Sequence, residues 1–229
     1  MASKALAEFI GTFALVFFGT GAIIVNDVSG GLITHPGIAI TFGLVVIAMI
    51  YAFGEISGAH INPAVTIAFW FSGRFAGALV LPFIISQTAG ALAASSMLYY
   101  IFPQHETLGT TLPATDVSAA FVLELLLTFF LMLVIINVST GSKEIGVMAG
   151  IAIGFTVLIC AMFAGPVTGA SMNPARSLSA ALISGHTEFL WLYITAPIAG
   201  ALLAILVCRV IKGKDCCPVP MFYRSRKIK

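Results

Sequence analysis

Long apolar runs and short polar interruptions alternate along this chain with little else between them. Runs near the roughly 20 residues that a bilayer-spanning helix needs occupy Ala5–Val25, Pro36–Ala52, Ala76–Phe102, Val117–Val138, Glu144–Ala164 and Phe189–Val210. Six spans are therefore expected. Two further apolar stretches, Asn62–Ser72 and Asn173–Ile183, are too short to cross, and each opens with the tripeptide Asn-Pro-Ala. Asn is a favoured N-cap and Pro a favoured first helical residue, because Pro presets a helical φ and lacks an N–H that would have no intrahelical partner. Both stretches read as half-helices starting at membrane depth. Apolar surroundings tolerate such a start only where the irregular backbone before it is buried in protein or lines a watery cavity.

Composition agrees. Of 229 residues 59% are hydrophobic and only 9% charged, against about 25% charged in soluble domains, and the mean hydropathy is +1.07; the chain reads as an integral membrane protein. Threading six spans puts Lys4, Arg74, Lys143, Arg209, Lys212, Lys214, Arg224, Arg226, Lys227 and Lys229 on one side, with only Arg176 left over. The opposite connections carry Asp27, Glu106, Asp116 and Glu188 but no Lys. Cationic loops mark the inner face, so both termini are expected in the cytoplasm, with the protein in the cell membrane. The first span is too long for the apolar region of a cleaved signal. A transmembrane domain is expected over 1–212, followed by a basic tail, 213–229, with a weak attraction to anionic lipid. The cysteines, Cys160, Cys208, Cys216 and Cys217, have neither zinc nor disulfide-framework spacing and are expected as neutral thiols, the juxtamembrane Cys216-Cys217 pair being open to acylation.

The chain also repeats itself. A shift of 116 residues puts Glu8, Thr12 and Phe13 on Glu124, Thr128 and Phe129; a shift of 111 puts Asn62 on Asn173 and Gly43 on Gly154; a shift of 110 puts Ala89-Gly90-Ala91 on Ala199-Gly200-Ala201. Each half, about 4–102 and 117–212, holds three spans. An odd number makes the second half enter from the opposite face, so the repeat is inverted and the half-helix N-termini should meet near the midplane. Glycines four apart, Gly54/Gly58, Gly73/Gly77 and Gly150/Gly154, read as close-packing positions, with a hinge as the alternative.

These paired boxes, Asn62-Pro63-Ala64 and Asn173-Pro174-Ala175, with Arg176 trailing the second and Glu8 and Glu124 at matching places, resemble the aquaporin, or major intrinsic protein, superfamily over nearly the whole chain. The resemblance implies an all-α membrane fold, six transmembrane helices plus two half-helices in an inverted repeat, assembled as a homotetramer with one pore per subunit. It implies a passive channel for water and small uncharged solutes that excludes protons and ions, with no cofactor or metal, no nucleic-acid partner and no enzymatic step. By spacing from the boxes, the family's four-residue constriction falls on Phe42, Ala161, Ala170 and Arg176. Strict water channels carry His where this chain has Ala161, so its ring should be wider and greasier, which favours glycerol, urea-like molecules and metalloid hydroxides beside water. Ser177, Ala181 and Tyr193-Ile194 look like the nodulin-like branch; Phe42 departs from the Trp or small residue usual there.

The residues suggest how such a pore would work. Each half-helix N-terminus carries roughly half a positive charge, and two meeting at the midplane oppose a cation. Asn62 and Asn173 can cap their helices through the side-chain oxygen and leave the amide NH₂ to donate to a passing oxygen; the plainer alternative is that they only cap. Arg176 sits in the first turn of its half-helix, where a charge costs at least ~2.5–3.5 kcal/mol and usually faces a cavity; it reads as pore-lining, and a clamp on loop carbonyls is compatible with that. Glu8 and Glu124, by the resemblance, accept hydrogen bonds from the irregular loops, with a proton relay as the alternative. His60 is expected to line the cytoplasmic half of the lumen, or else to sense pH; His35, His105 and His186 are expected as loop residues only. Inverted repeats also build secondary transporters, which remain the competing reading. With Arg176 the only charge placed along the path, ion-coupled transport has little to work with.

Overall fold

The computed structural model describes residues 1–139, 143–213 and 216, and for 143–146 the backbone only. The described chain is helical: α1 (Ala2–Val28), α2 (Thr34–Ser57), α3 (Pro63–Phe71), α4 (Gly77–Ile101), α5 (Val117–Val138), α6 (Lys143–Thr168), α7 (Pro174–Ser184) and α8 (Leu190–Lys212). Six of these are long and apolar enough to cross a membrane, and the two short ones, α3 and α7, start at the Asn-Pro-Ala boxes. No strand occurs among the described residues.

Packing follows the repeat. Helix α1 packs on α2 and α4 as α5 packs on α6 and α8, α2 meets α6 across the middle, and each half-helix leans on the other half, α3 on α8 and α7 on α4. Lipid supplies no hydrophobic force between helices, so close approach through small residues does the work. Gly90 lets α4 sit against α1: a Cβ there would lie 2.2 Å from the Phe9 carbonyl oxygen. Its repeat mate Gly200 would put one 2.1 Å from the Leu125 oxygen. Gly43 and Gly154 face one another across the α2–α6 contact, each blocked by the other's carbonyl at 2.8 and 2.6 Å.

Three expectations change here. Of the glycines four apart, Gly150, Gly154 and Gly77 are closely approached by side chains, whereas Gly54 meets only its own helix, and Gly58 (φ +94) and Gly73 (φ +82) are turn residues. Glycine spacing alone does not distinguish a contact from a cap. Cys208 and Cys216 form a disulfide, eight residues apart in sequence and both buried; Cys160 is a buried free thiol, and Cys217 and the basic cluster 224–229 lie outside the described residues. His35 belongs to the first turn of α2, where its Nε2 bonds the Met162 carbonyl of α6 at 2.7 Å; the helix begins earlier than Pro36 because that Pro stands within the first turn, where its missing N–H costs nothing.

Candidate functional site

Two re-entrant loops, Gly58–Ile61 and Gly169–Met172, connect a span to each half-helix, and they carry the same unusual backbone. Gly58, Ala59 and Ile61 have φ of +94°, +45° and +42°, and Gly169, Ala170 and Met172 have +80°, +42° and +53°. A β-branched residue at positive φ is an outlier, and each such residue costs on the order of 1–3 kcal/mol unless its surroundings hold it there.

Two carboxylates hold it. Glu8, on α1 and fully buried, accepts from the His60 amide (2.9 Å), the Ile61 amide (2.7 Å), the Ser57 hydroxyl (2.7 Å) and Gln87 Nε2 (2.7 Å). Glu124, on α5 and equally buried, accepts from the Ser171 amide (2.9 Å), the Met172 amide (3.0 Å) and the Thr168 hydroxyl (2.7 Å). Ser57 and Thr168 in turn take the Ala59 and Ala170 amides. With the amides drawn to the carboxylates, the carbonyls of Gly58, Ala59, His60, Ala170 and Ser171 receive no hydrogen bond from any described residue, and all five residues line one cavity.

At the loop ends the half-helices touch. Asn62 Oδ1 caps α3 by accepting from the Ala64 amide at 2.9 Å, and its Nδ2 donates to the Met172 carbonyl at 2.8 Å. Asn173 Oδ1 caps α7 by accepting from Ala175 (3.1 Å) and Arg176 (3.4 Å), and its Nδ2 donates to the Ile61 carbonyl at 2.9 Å. A primary amide has two N–H donors, so each Asn commits one to the opposite half and retains one beside the cavity that both line. The expected free NH₂ is thus half engaged.

That cavity, about 1670 Å³, runs from Lys4, Glu55, Arg74 and Ser139 at the end bearing the N-terminus, past both asparagines, to Phe42, Ala161, Ala170 and Arg176. Arg176 is 2% exposed. Its Nη1 donates to the Gly109 carbonyl at 2.9 Å, its Cζ stands 5.7 Å from the centre of the Phe42 ring, and its Nε has no partner among the described residues. Phe42 fills space left by Gly19, where a Cβ would come within 2.3 Å of the ring. A guanidinium on the cavity wall, with no carboxylate in ion-pair range among the described residues and an aromatic neighbour, is equipped to hold a small hydroxylated molecule by its oxygens.

His60 sits between Phe69, Phe75 and Phe83, 4.8, 4.8 and 5.3 Å between ring centres, and its Nδ1 contacts Thr66 Oγ1 at 3.1 Å. The Thr66 proton goes to the Asn62 carbonyl, and Gln87 Nε2 donates to the same hydroxyl. In the other half Ser171, Ser177 and Thr111 form a hydroxyl chain at the equivalent place. Ser57 and Thr168, one residue before the Gly-Ala of each loop, were findable as a matched pair. Gln87, whose repeat mate is Pro197, and Gly109, in an aperiodic connection, carry no signal that sequence could offer.

A family profile described as "Major intrinsic protein" matches residues 1–208. Aquaporin NIP1-3 of Oryza sativa subsp. japonica is 45% identical over 217 residues, covering 93% of this chain and 75% of the relative. Nodulin-26 of Glycine max is 44% identical over 213 residues, 93% and 79% of the two chains. The X-ray structure of the aquaglyceroporin from Plasmodium falciparum superposes with a TM-score of 0.81 at 25% identity, covering 89% of this chain and 93% of that one.

Proposed function

The chain belongs to the major intrinsic protein family, and from that premise we propose how its lumen works. It is an integral, multi-pass membrane protein and a passive channel for water and small uncharged solutes; its relatives are channels, not enzymes. In our reading residues 1–212 are the channel domain, with 213–229 a basic tail, both termini are cytoplasmic, the membrane is the cell membrane, four subunits associate with one pore each, and no covalent chemistry occurs.

A permeant molecule entering from the cytoplasmic mouth passes His60 and then a row of carbonyls, which accept its hydrogens in place of water. At the midplane its oxygen accepts the remaining N–H of Asn62 and of Asn173. An oxygen held by two donors points its own hydrogens away from both, which interrupts donation along the file. The two helix N-termini, each roughly half a positive charge, and the Arg176 guanidinium beyond them oppose a cation or hydrated proton. At the ring, the Arg176 guanidinium takes the oxygen side of the solute, and Phe42, Ala161 and Ala170 receive its carbon or metalloid side. Two alanines leave room there, so the range extends past water to glycerol, urea-like molecules and metalloid hydroxides. The observation that carries this reading is the reciprocal bond between the half-helix tips beside one continuous cavity.

A solute panel in proteoliposomes tests it: water, glycerol, urea, ammonia, boric acid and arsenous acid. Non-saturating flux without an ion gradient is expected; flux that saturates at low solute concentration or demands such a gradient would instead favour the transporter. Ala161→His should suppress the larger solutes more than water, and an equal fall in both would remove Ala161 from the constriction.

A further inference from the structure

The Gly109 carbonyl that Arg176 bonds lies in the long connection between α4 and α5, and a histidine holds that connection in shape. Leu108 (φ +49) and Gly109 (φ +65) are consecutive left-handed residues. Leu108 is 2% exposed and packs on Ile24 and Leu98, and its amide donates to His105 Nδ1 at 3.0 Å. On the other side of the ring, His105 Nε2 stands 3.2 Å from Asp27 Oδ2 near the end of α1, the histidine side chain being 9% exposed and the aspartate 52%. An amide N–H only donates and a carboxylate only accepts, so the ring carries its proton on Nε2 and leaves Nδ1 bare. Thr110 fixes the far side of the turn, its amide and hydroxyl donating to the Thr107 carbonyl and its hydroxyl also reaching Ser184.

We propose that His105 is a positioning residue for Arg176: with Nδ1 bare it holds the Leu108 amide, and through it the Gly109 carbonyl, on the filter guanidinium, and a proton on Nδ1 releases that hold. This rests on reading Arg176 as part of the filter. Histidine is the side chain that ordinarily changes charge between pH 5 and 8, and when it does both ring nitrogens become donors. The Nδ1–H would then confront the Leu108 N–H, while the Nε2–H bond to Asp27 becomes an ion pair. Asp27 reaches solvent, so a proton has a way in. The charged and titratable groups around the ring are Asp27 on α1, Glu106 beside it in the connection, Arg176 beyond Gly109, and His186, which meets Ser184 at the end of α7; α4 contributes Ile101, and Phe102 follows it, neither titratable. Only His105 donates or accepts on both sides of the bracket. Acid at this face therefore loosens Arg176 and raises the flux of larger solutes relative to water.

The test is the ratio of glycerol to water permeability in proteoliposomes of the full chain, with pH equal on both sides and stepped from 5 to 8. The wild-type ratio should rise in acid by about twofold to tenfold, the range that one lost neutral hydrogen bond allows. His105→Asn, whose Oδ1 can take the place of Nδ1 as acceptor for the Leu108 amide and does not titrate, should keep the pH 8 ratio throughout. His105→Ala should show the acid ratio at every pH; if that variant fails to insert, His105→Asn decides alone. A flat wild-type ratio, zero included, or a wild-type pH profile retained in His105→Asn, overturns the proposal. Arg176→Val at pH 8 separates the two readings: an unaltered ratio means the filter reading has failed, and an altered ratio beside His105 variants that keep the wild-type pH profile means that only the present proposal has.

Discussion

The repeat gives the proposed constriction ring a counterpart set of four residues in the same cavity. Shifted by 111 residues, Phe42, Ala161, Ala170 and Arg176 correspond to Ile153, Ile50, Ala59 and Val65, and all eight line the same cavity. One ring is aromatic, roomy and charged; the other is aliphatic throughout. Behind both lies the same skeleton of a glutamate, a hydroxyl, two captured amides and a capping Asn. Duplicated backbone chemistry thus builds the frame, and on the proposed reading unduplicated side chains decide at which end sieving is done. The polar supports diverge in the same sense, with His60, Thr66 and Gln87 behind the aliphatic ring and Ser171, Ser177 and Thr111 on the other side.

The frame is the part whose failure should cost most. Glu8→Ala leaves four buried donors without an acceptor and Glu124→Ala leaves three. At about 1–3 kcal/mol for each orphaned group, both variants should lose most of their folded yield, the Glu8 variant slightly more. Glu→Gln at either site keeps the volume and one full acceptor and should recover part of the loss. Thermal unfolding in detergent measures it. If Glu124→Ala melted like a surface variant, the two halves would not be held alike.

Arg176→Val puts into the proposed filter the residue that the counterpart set already has. At an effective dielectric near 20, removing a unit charge a few ångströms from the path lowers a cation's barrier by roughly 3 kcal/mol. Proton or cation leak, followed by a trapped pH dye in vesicles, should rise on the order of a hundredfold. An unchanged leak would leave exclusion to the two helix ends and make the rings electrically equivalent.

Gly90→Ala and Gly200→Ala probe symmetry in the packing. Each new Cβ would fall within 2.2 Å of a backbone oxygen on the neighbouring helix, so each should cost about 1–3 kcal/mol by overpacking, and by the same amount. Gly54→Ala, with nothing closer than 3.9 Å, is the control that should not lower the melting temperature. Unequal losses at 90 and 200 would mean that the halves pack differently.

What could be read without coordinates follows the same division. Spans, half-helices and inversion were legible because each depends on local composition or on a repeat, and Asn62, Asn173 and Arg176 stood out because polar groups are scarce in the apolar runs. Contacts between sequence-distant groups were not. Nothing local pairs Asn62 Nδ2 with the Met172 carbonyl, brings Gly109 to Arg176 or folds Cys216 onto Cys208. His105 looked like one loop histidine among three because its two partners, Asp27 and Leu108, belong to different segments and neither is marked by any periodicity.

The mildest difference between the halves lies at their starts. Helix α5 is capped by Asp116, whose Oδ1 accepts from the Ser118 and Ala119 amides at 2.9 and 3.3 Å and from the Ser118 hydroxyl, whereas α1 begins at Met1 with no side-chain cap. The Ser118 hydroxyl first, then the Ala119 and Ser118 amides, hold the Asp116 carboxyl below the usual carboxylate range. A carboxyl with its folded pKa depressed stabilises the folded state above its unfolded pKa, and that contribution is lost as pH falls through the folded value. The site is fully exposed and screened by salt, so the effect should be the smallest of this series. Hydrogen exchange resolves it: the Ser118 and Ala119 amides should exchange faster in Asp116→Ala than in wild type at neutral pH, the difference should close in strong acid, and the first turn of α1 should respond to neither change. Equal exchange at Ser118 in the two proteins at neutral pH would mean that the carboxylate adds nothing to the second half that the first half lacks.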